Sequence, residues 1–353
     1  MVSGINMLRT FAVLFFIASA SILRAADLPE AELTLESVPD PGVNTADEPL
    51  AKAFSMESAA RFLDTASLHW TKNRQCFACH TNFAYLMVRP EVNADNTAHR
   101  QLRAALEEMV EKRWETDGPR WDAEVVMSAA TLVMNDVATT GELQPTTQKA
   151  LARMWKVQRD DGGFDWLKCG WPPMESDDDY GIAIAALALG AAPQSYRKTE
   201  EAQAGLKQLQ SYLSKNAPPT LHHEAMLMWA ESYGLELLTV EQRKHCGEQL
   251  LALQKADGGW ASATLGDWKR SDDKQQDVET SDGYATGFAI LILRKSGLES
   301  DDPRIQRGLQ WLKVNQRVSG RWFTRSLNKD NKHFLTHAGT AFAVLALTAC
   351  GEK

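Results

Sequence analysis

One short string holds the residues best suited to chemistry: "CFACH", in which Cys76 and Cys79 stand three apart and His80 follows directly. C-x-x-C-H is the attachment sequence for c-type haem, where two thiols form thioethers to the vinyl groups and the histidine binds iron axially. A second axial ligand is then wanted, and His337 and His223 are the candidates. The string has other readings: a Cys76–Cys79 disulfide, two free thiols, or a share in a zinc site. A thioredoxin-like dithiol is a poor fit, because no βαβ pattern surrounds it. Met87 lies seven residues after His80 on the same helix face and reads as core. His69, Trp70 and His99 flank the string without ligand spacing and read as structural.

These residues must be positioned by helices. From Ala51 onward apolar residues recur at three- and four-residue spacing almost throughout, and no alternating run is convincing as a strand. The helical part repeats. A Gln, a Gly-rich turn and an aromatic residue occur together as "QRDDGGFDW" (Gln158 to Trp166), "QKADGGW" (Gln254 to Trp260) and "QRVSGRW" (Gln316 to Trp322). In each, a helix should end at the Gln, the glycines supply positive-φ geometry, and the aromatic ring packs back. A second landmark is a polar residue opening a small-residue, apolar helix. It recurs near His80, Glu124, Asp179, His223, Asp282 and His337, 44 to 59 residues apart. Each interval holds a more amphipathic helix, such as "TEEAQAGLKQLQSYLSKN". Two helices per interval make a helical-hairpin repeat, with the apolar helices inside and the amphipathic ones outside. Six hairpins suggest a closed ring, so that His80 and His337, in the first and last, become neighbours. The six polar residues would then gather at one mouth, each also a candidate helix cap.

The N-terminus reads as a signal peptide over residues 1–25: Arg9, then the apolar run Phe11 to Ala20, with small residues at Ala18, Ala20 and Ala25. That run is too short to span a bilayer, and no later segment is long and apolar enough. Residues 26–50, rich in Pro, Asp and Glu, read as an extended acidic leader before a domain at 51–353. The mature protein is therefore expected in the periplasm or outside the cell, and not as an integral membrane protein. Five cysteines are an odd number for a complete disulfide framework there; Cys169, Cys246 and Cys350 are scattered. With 46 acidic against 38 basic residues and a net charge of −8, the chain is not built to grip nucleic acid.

The Gln-Gly-aromatic turns resemble the QW motifs of squalene-hopene and oxidosqualene cyclases. The helix openings "DDDYGIA" and "SDGYATGFA" resemble helix starts of those cyclases and of protein prenyltransferase β subunits. The resemblance implies an all-α fold, a single (α/α)6 toroid of six helical hairpins, over about Phe54 to Leu347. It also implies where an acid would stand. In the run Glu175 to Asp179, aligning "DDYG" with the cyclases' "DDTA" puts Asp178 at the proton-donor position, between Asp177 and Asp179, whose like charges would help keep one carboxyl protonated. Ser176 replaces the first Asp of the cyclases' D-x-D-D motif, and the chain has room for one of their two barrels. Against the prenyltransferases, Asp282 and His337 occupy two zinc-ligand positions, Tyr284 stands where the thiolate should be, and His223 or His80 could supply a third ligand. Three readings follow. The protein is a haem-bearing toroid for electron transfer or redox sensing, with a redox partner protein; or an enzyme acting on a terpenoid or polysaccharide through the Asp/His ring; or a non-catalytic toroid binding an apolar molecule or another protein.

Overall fold

Twelve helices alternate between an outer and an inner ring in the computed structural model, which describes Met1, residues 32–74 and residues 76–352. Apart from Met1, the expected signal peptide lies outside the described residues, as does the start of the leader. Residues Leu33–Lys353 form one compact unit. The outer helices are α1 (Met56–Arg74), α3 (Thr97–Glu108), α5 (Pro145–Lys156), α7 (Glu200–Leu213), α9 (Val240–Ala252) and α11 (Pro303–Asn315). The inner helices are α2 (Ala84–Asn93), α4 (Asp122–Thr139), α6 (Asp179–Ala191), α8 (Leu221–Glu231), α10 (Gly283–Lys295) and α12 (Leu335–Ala349). Each inner helix packs on the next, and α12 packs on both α2 and α1, so the ring is closed. The fold is the all-α toroid of six hairpins.

Burial follows the sequence pattern. Residues Tyr180 to Ala191 of α6 and Gly283 to Leu293 of α10 are buried without interruption, as expected of helices packed on both sides. Small residues permit the closeness: a Cβ on Gly287 would lie 2.4 Å from the Ala343 backbone nitrogen of α12. The three Gln-Gly-aromatic turns are built identically. Gln158, Gln254 and Gln316 each donate Nε2 to the carbonyl of the glycine four residues on, at 3.0, 2.9 and 3.0 Å. Those glycines have φ of +91, +92 and +93°. The residue six after the Gln is fully buried in each: Phe164, Trp260 and Trp322. In the first turn Phe164, and not Trp166, therefore fills the repeat's aromatic position.

Two expectations change. The chain is not helical almost throughout, since residues 157–178, 253–282 and 316–334 are mostly loops joining outer helices to inner ones. They carry the turns and build one face of the ring. The second half of the leader is also attached to that face. Val318 donates to the Pro49 carbonyl at 3.0 Å and Ala51 to the Gln316 carbonyl at 2.8 Å, while Arg321 pairs with Glu48.

Candidate functional site

The C-x-x-C-H string lies on that face, where inner helices begin. Ala78 is extended, and a single π-helical turn, Cys79–Phe83, leads into α2. Asn82 fixes this turn: its Oδ1 accepts from the Ala78 amide at 3.2 Å, and its Nδ2 donates to Ser67 O of α1 at 3.0 Å and Thr71 Oγ1 at 2.8 Å. Cys76 is half-buried, Cys79 is buried, and all five cysteines are unpaired. Burial, reinforced by the carboxyl of Glu175, pushes the Cys79 thiol well above its usual pKa.

His80 and His337 are brought together, as closure of the ring requires, with ring centroids 6.5 Å apart. They are linked through one hydroxyl: Thr81 Oγ1 lies 2.8 Å from His80 Nδ1 and 2.9 Å from His337 Nδ1. His337 Nε2 lies 3.1 Å from Asn44 Nδ2 in the leader. Arg321 donates to Asn44 Oδ1 at 2.6 Å, and Nδ2 also reaches the His333 carbonyl at 3.2 Å, so the amide orientation is fixed. Asn44 therefore donates to His337 Nε2, and His337 Nδ1–H donates to Thr81, whose hydroxyl oxygen also meets His80 Nδ1. Burial lowers both imidazoles, His80 to about 4 and His337 to about 3, so both are neutral near pH 7. With both nitrogens engaged by protein, His337 is not free to be a second axial or zinc ligand.

The other expected residues are separated from this pair. His223 is buried, with Nδ1 2.7 Å from Thr220 Oγ1 and Nε2 2.9 Å from Asp177 Oδ1, and neither nitrogen approaches His80. Among the described residues no group of three His, Cys, Asp or Glu side chains is arranged to hold a metal ion. The zinc reading, Asp282 and His337 with a third ligand from His223 or His80, finds no assembled donor set among the described residues.

Asp178 is paired with Arg159 and Lys168. Burial alone would raise its carboxyl, but bonds from Arg159 at 3.0 Å, Lys168 and the Trp166 amide outweigh this and hold it below the usual range. Its role is to tie the first turn to α6. Asp177 accepts from the Tyr180 amide at 3.3 Å, as a cap would. Burial raises Asp179, with Asp177 and Asp178 adding like charge. Glu124 is buried against Arg113 and accepts from Trp114 Nε1 at 3.0 Å, a structural pairing. Asp282 caps α10, accepting from the Ala285 amide at 3.0 Å and from the Ser262 amide and hydroxyl at 2.7 Å each. Burial pushes it up to about 6 against those bonds.

His222 was not singled out by sequence, because it neighbours His223 and occupies no motif. It is fully buried, stacked on Phe288 at 4.7 Å, with Nε2 2.8 Å from Tyr284 OH. Burial, then the nearby His223, holds its pKa well below 6.5. The unfolded chain takes up this proton as pH falls through about 6.5, whereas the folded chain does not. Stability is therefore expected to fall on acidification from neutral pH. In a His222→Phe variant, proton uptake on unfolding near about pH 5 should drop by up to one, measured from the pH dependence of denaturant midpoints.

A cavity of about 20 Å³ lies among Cys79, Met87, Met127, Met174, Tyr180 and Met226. That is room for about one water. Met174 and Glu175 come from the 167–178 loop, which Trp166 holds by donating Nε1 to the Met174 carbonyl at 2.7 Å.

Comparison with known proteins bears on the fold. Residues 234–333 match the squalene-hopene cyclase C-terminal domain family. No curated protein sequence matches the chain. The structure is similar to ent-copalyl diphosphate synthase from Streptomyces platensis, with TM-score 0.51 and 15% identity over 76% of this chain and 50% of that one. This chain thus spans half the length of that synthase. It is also similar to an alpha-1,6-mannanase from Salegentibacter, with TM-score 0.51 and 10% identity over 82% and 97% of the two chains. A variant of the type II terpene cyclase MstE from Scytonema gives TM-score 0.50 and 12% identity over 83% and 96%. At such identities the likeness establishes architecture, an α/α toroid, and its chemistry must be argued from its own side chains.

Proposed function

We propose that the protein is exported and carries a covalent c-type haem at the mouth of the toroid, serving electron transfer or redox sensing with a partner protein. Cys76 and Cys79 would attach the group and His80 would ligate it. The observation that carries this reading is the meeting of two unpaired thiols with an imidazole that burial keeps neutral and whose Nδ1 is anchored, which leaves Nε2 for a metal. A bound haem would supply a one-electron iron couple. With Nε2 given to a metal, His80 must hold its proton at Nδ1, and Thr81 Oγ1 has the two lone pairs needed to accept from both imidazoles. One demand accompanies the reading. Cys79 faces the small central cavity beside Glu175, so both sulfurs can join one porphyrin only while the 167–178 loop does not cover that thiol.

Polyprene cyclisation is the weaker reading. It needs a protonated acid and a cavity for a long hydrocarbon, and here Asp178 is ion-paired and the centre holds about 20 Å³.

The test is an absorption spectrum, oxidised and dithionite-reduced, of protein exported by cells with c-type cytochrome maturation machinery. A Soret band with a sharp reduced α band is expected, surviving acid-acetone extraction and absent from a Cys76→Ala/Cys79→Ala variant. A colourless, folded protein would overturn the proposal.

A further inference from the structure

A second cavity lies on the same face, between the leader and the start of α10, with a volume of about 500 Å³. That is the size of a small-ligand site, unlike the ring's centre. Its walls include Asp277, Asp282, Arg317, Phe323, Arg325 and His333. We propose that this cleft binds a neutral polyhydroxylated ligand, a short oligosaccharide, independently of any haem.

Three features select that chemistry. First, the cleft is not arranged to capture an ion. Arg325 grips Asp330 with Nε at 2.7 Å and Nη2 at 2.9 Å, Lys274 reaches the same carboxylate at 2.8 Å, and Arg270 bridges it to Asp272 at 2.7 Å each, so these side chains are already engaged with one another. The carboxyls of Asp277 and Asp282 would repel an anion, and Arg317 would repel a cation. Second, hydrogen-bonding capacity is left over. Arg317 donates Nη1 to the Glu48 carbonyl at 2.7 Å. Arg317 lines the cleft, and the Nη groups of its guanidinium carry further N–H donors. Asp277 Oδ1 is taken by the Thr280 and Glu279 amides at 2.9 and 3.1 Å, and the carboxylate stays half-exposed as an acceptor. A ligand that must both accept and donate, without net charge, is a polyol. Third, Phe323 is half-exposed and held edge-on by His333, with centroids 5.1 Å apart at 72°. A flat aromatic face beside polar groups suits the C–H face of a sugar ring.

The experiment is isothermal titration of the whole chain with cellotriose, maltotriose and an α-1,6-linked mannotriose, with inorganic phosphate and spermidine as charged probes. At least one trisaccharide should bind. Arg317→Gln and Phe323→Ala, checked for unchanged melting, should each weaken it about tenfold, a change of about 1.4 kcal/mol. Should either variant unfold, hydrogen exchange on the unaltered chain decides: the sugar should protect amides within 276–282 and 323–333. Absence of binding by all three sugars, protection elsewhere, or binding of phosphate or spermidine in place of sugar would each overturn the assignment.

Discussion

Replacing Gly320 by Ala is expected to be among the most damaging single changes in the chain, because this glycine sits where the ring closes. Gly320 has φ +93° and belongs to the last Gln-Gly-aromatic turn. A Cβ there would stand 2.1 Å from the Ser58 carbonyl oxygen and 2.3 Å from its carbon, both on the backbone of α1. The conflict is with main chain, so rotamer changes cannot relieve it. Backbone strain and forced separation together should cost about 2–5 kcal/mol, lowering the melting temperature by roughly 3–7 °C. Gly297→Ala is the control: φ is +98° there, but nothing lies within 4 Å, so only the conformational cost of about 1–2 kcal/mol should appear. Equal effects at the two positions would mean that contact across the closure contributes nothing. Gln316 reinforces the same joint, donating Nε2 to Ser55 O and accepting from Ser55 N, at 2.8 Å each.

A loss of comparable size is expected for Asp64→Asn. Asp64 of α1 is buried and receives Arg89 Nε at 2.8 Å, Arg89 Nη2 at 3.2 Å and Tyr85 OH at 2.7 Å, all from α2. The bonds lock the first hairpin, which presents Cys79 and His80. Neutralising Asp64 leaves the Arg89 charge buried without a counter-charge, a loss of about 3–5 kcal/mol. The control is Asp64→Leu/Arg89→Met, which removes both charges and should recover much of the stability. Denaturant melts of the two variants separate the cases. If Asp64→Asn melts like the parent, the pair does not hold the hairpin.

How much of this was legible beforehand varies by residue type. The repeat was, because a helix with two buried faces must be apolar all round, as "GIAIAALAL" is, and a tight turn on a neighbouring backbone must use glycine. The length and composition of the mouth loops were misjudged, because irregular backbone satisfied by side chains has no period to read. Their hydrogen bonds come from far along the chain, as when Arg270 donates to the Ser326 carbonyl at 2.5 Å. The ends of inner helices were located, but their roles were not. Asp177, Asp178 and Asp179 are adjacent in sequence, yet one caps a helix, one is ion-paired and one is raised by burial.

The sequence by itself determined the architecture: periodicity and recurring glycines depend on local sterics and on which faces avoid water, and both are written residue by residue. It also placed Cys76, Cys79 and His80 together, since their spacing is local. Only the tertiary structure decided which nitrogen of His337 meets Thr81 and which meets Asn44, that Asp178 is spent on Arg159, and that a cleft opens beside Asp282. Those facts depend on groups far apart in the chain. A side chain's protonation and availability are set by the partners that folding brings within a few ångströms, and no spacing in the sequence encodes them.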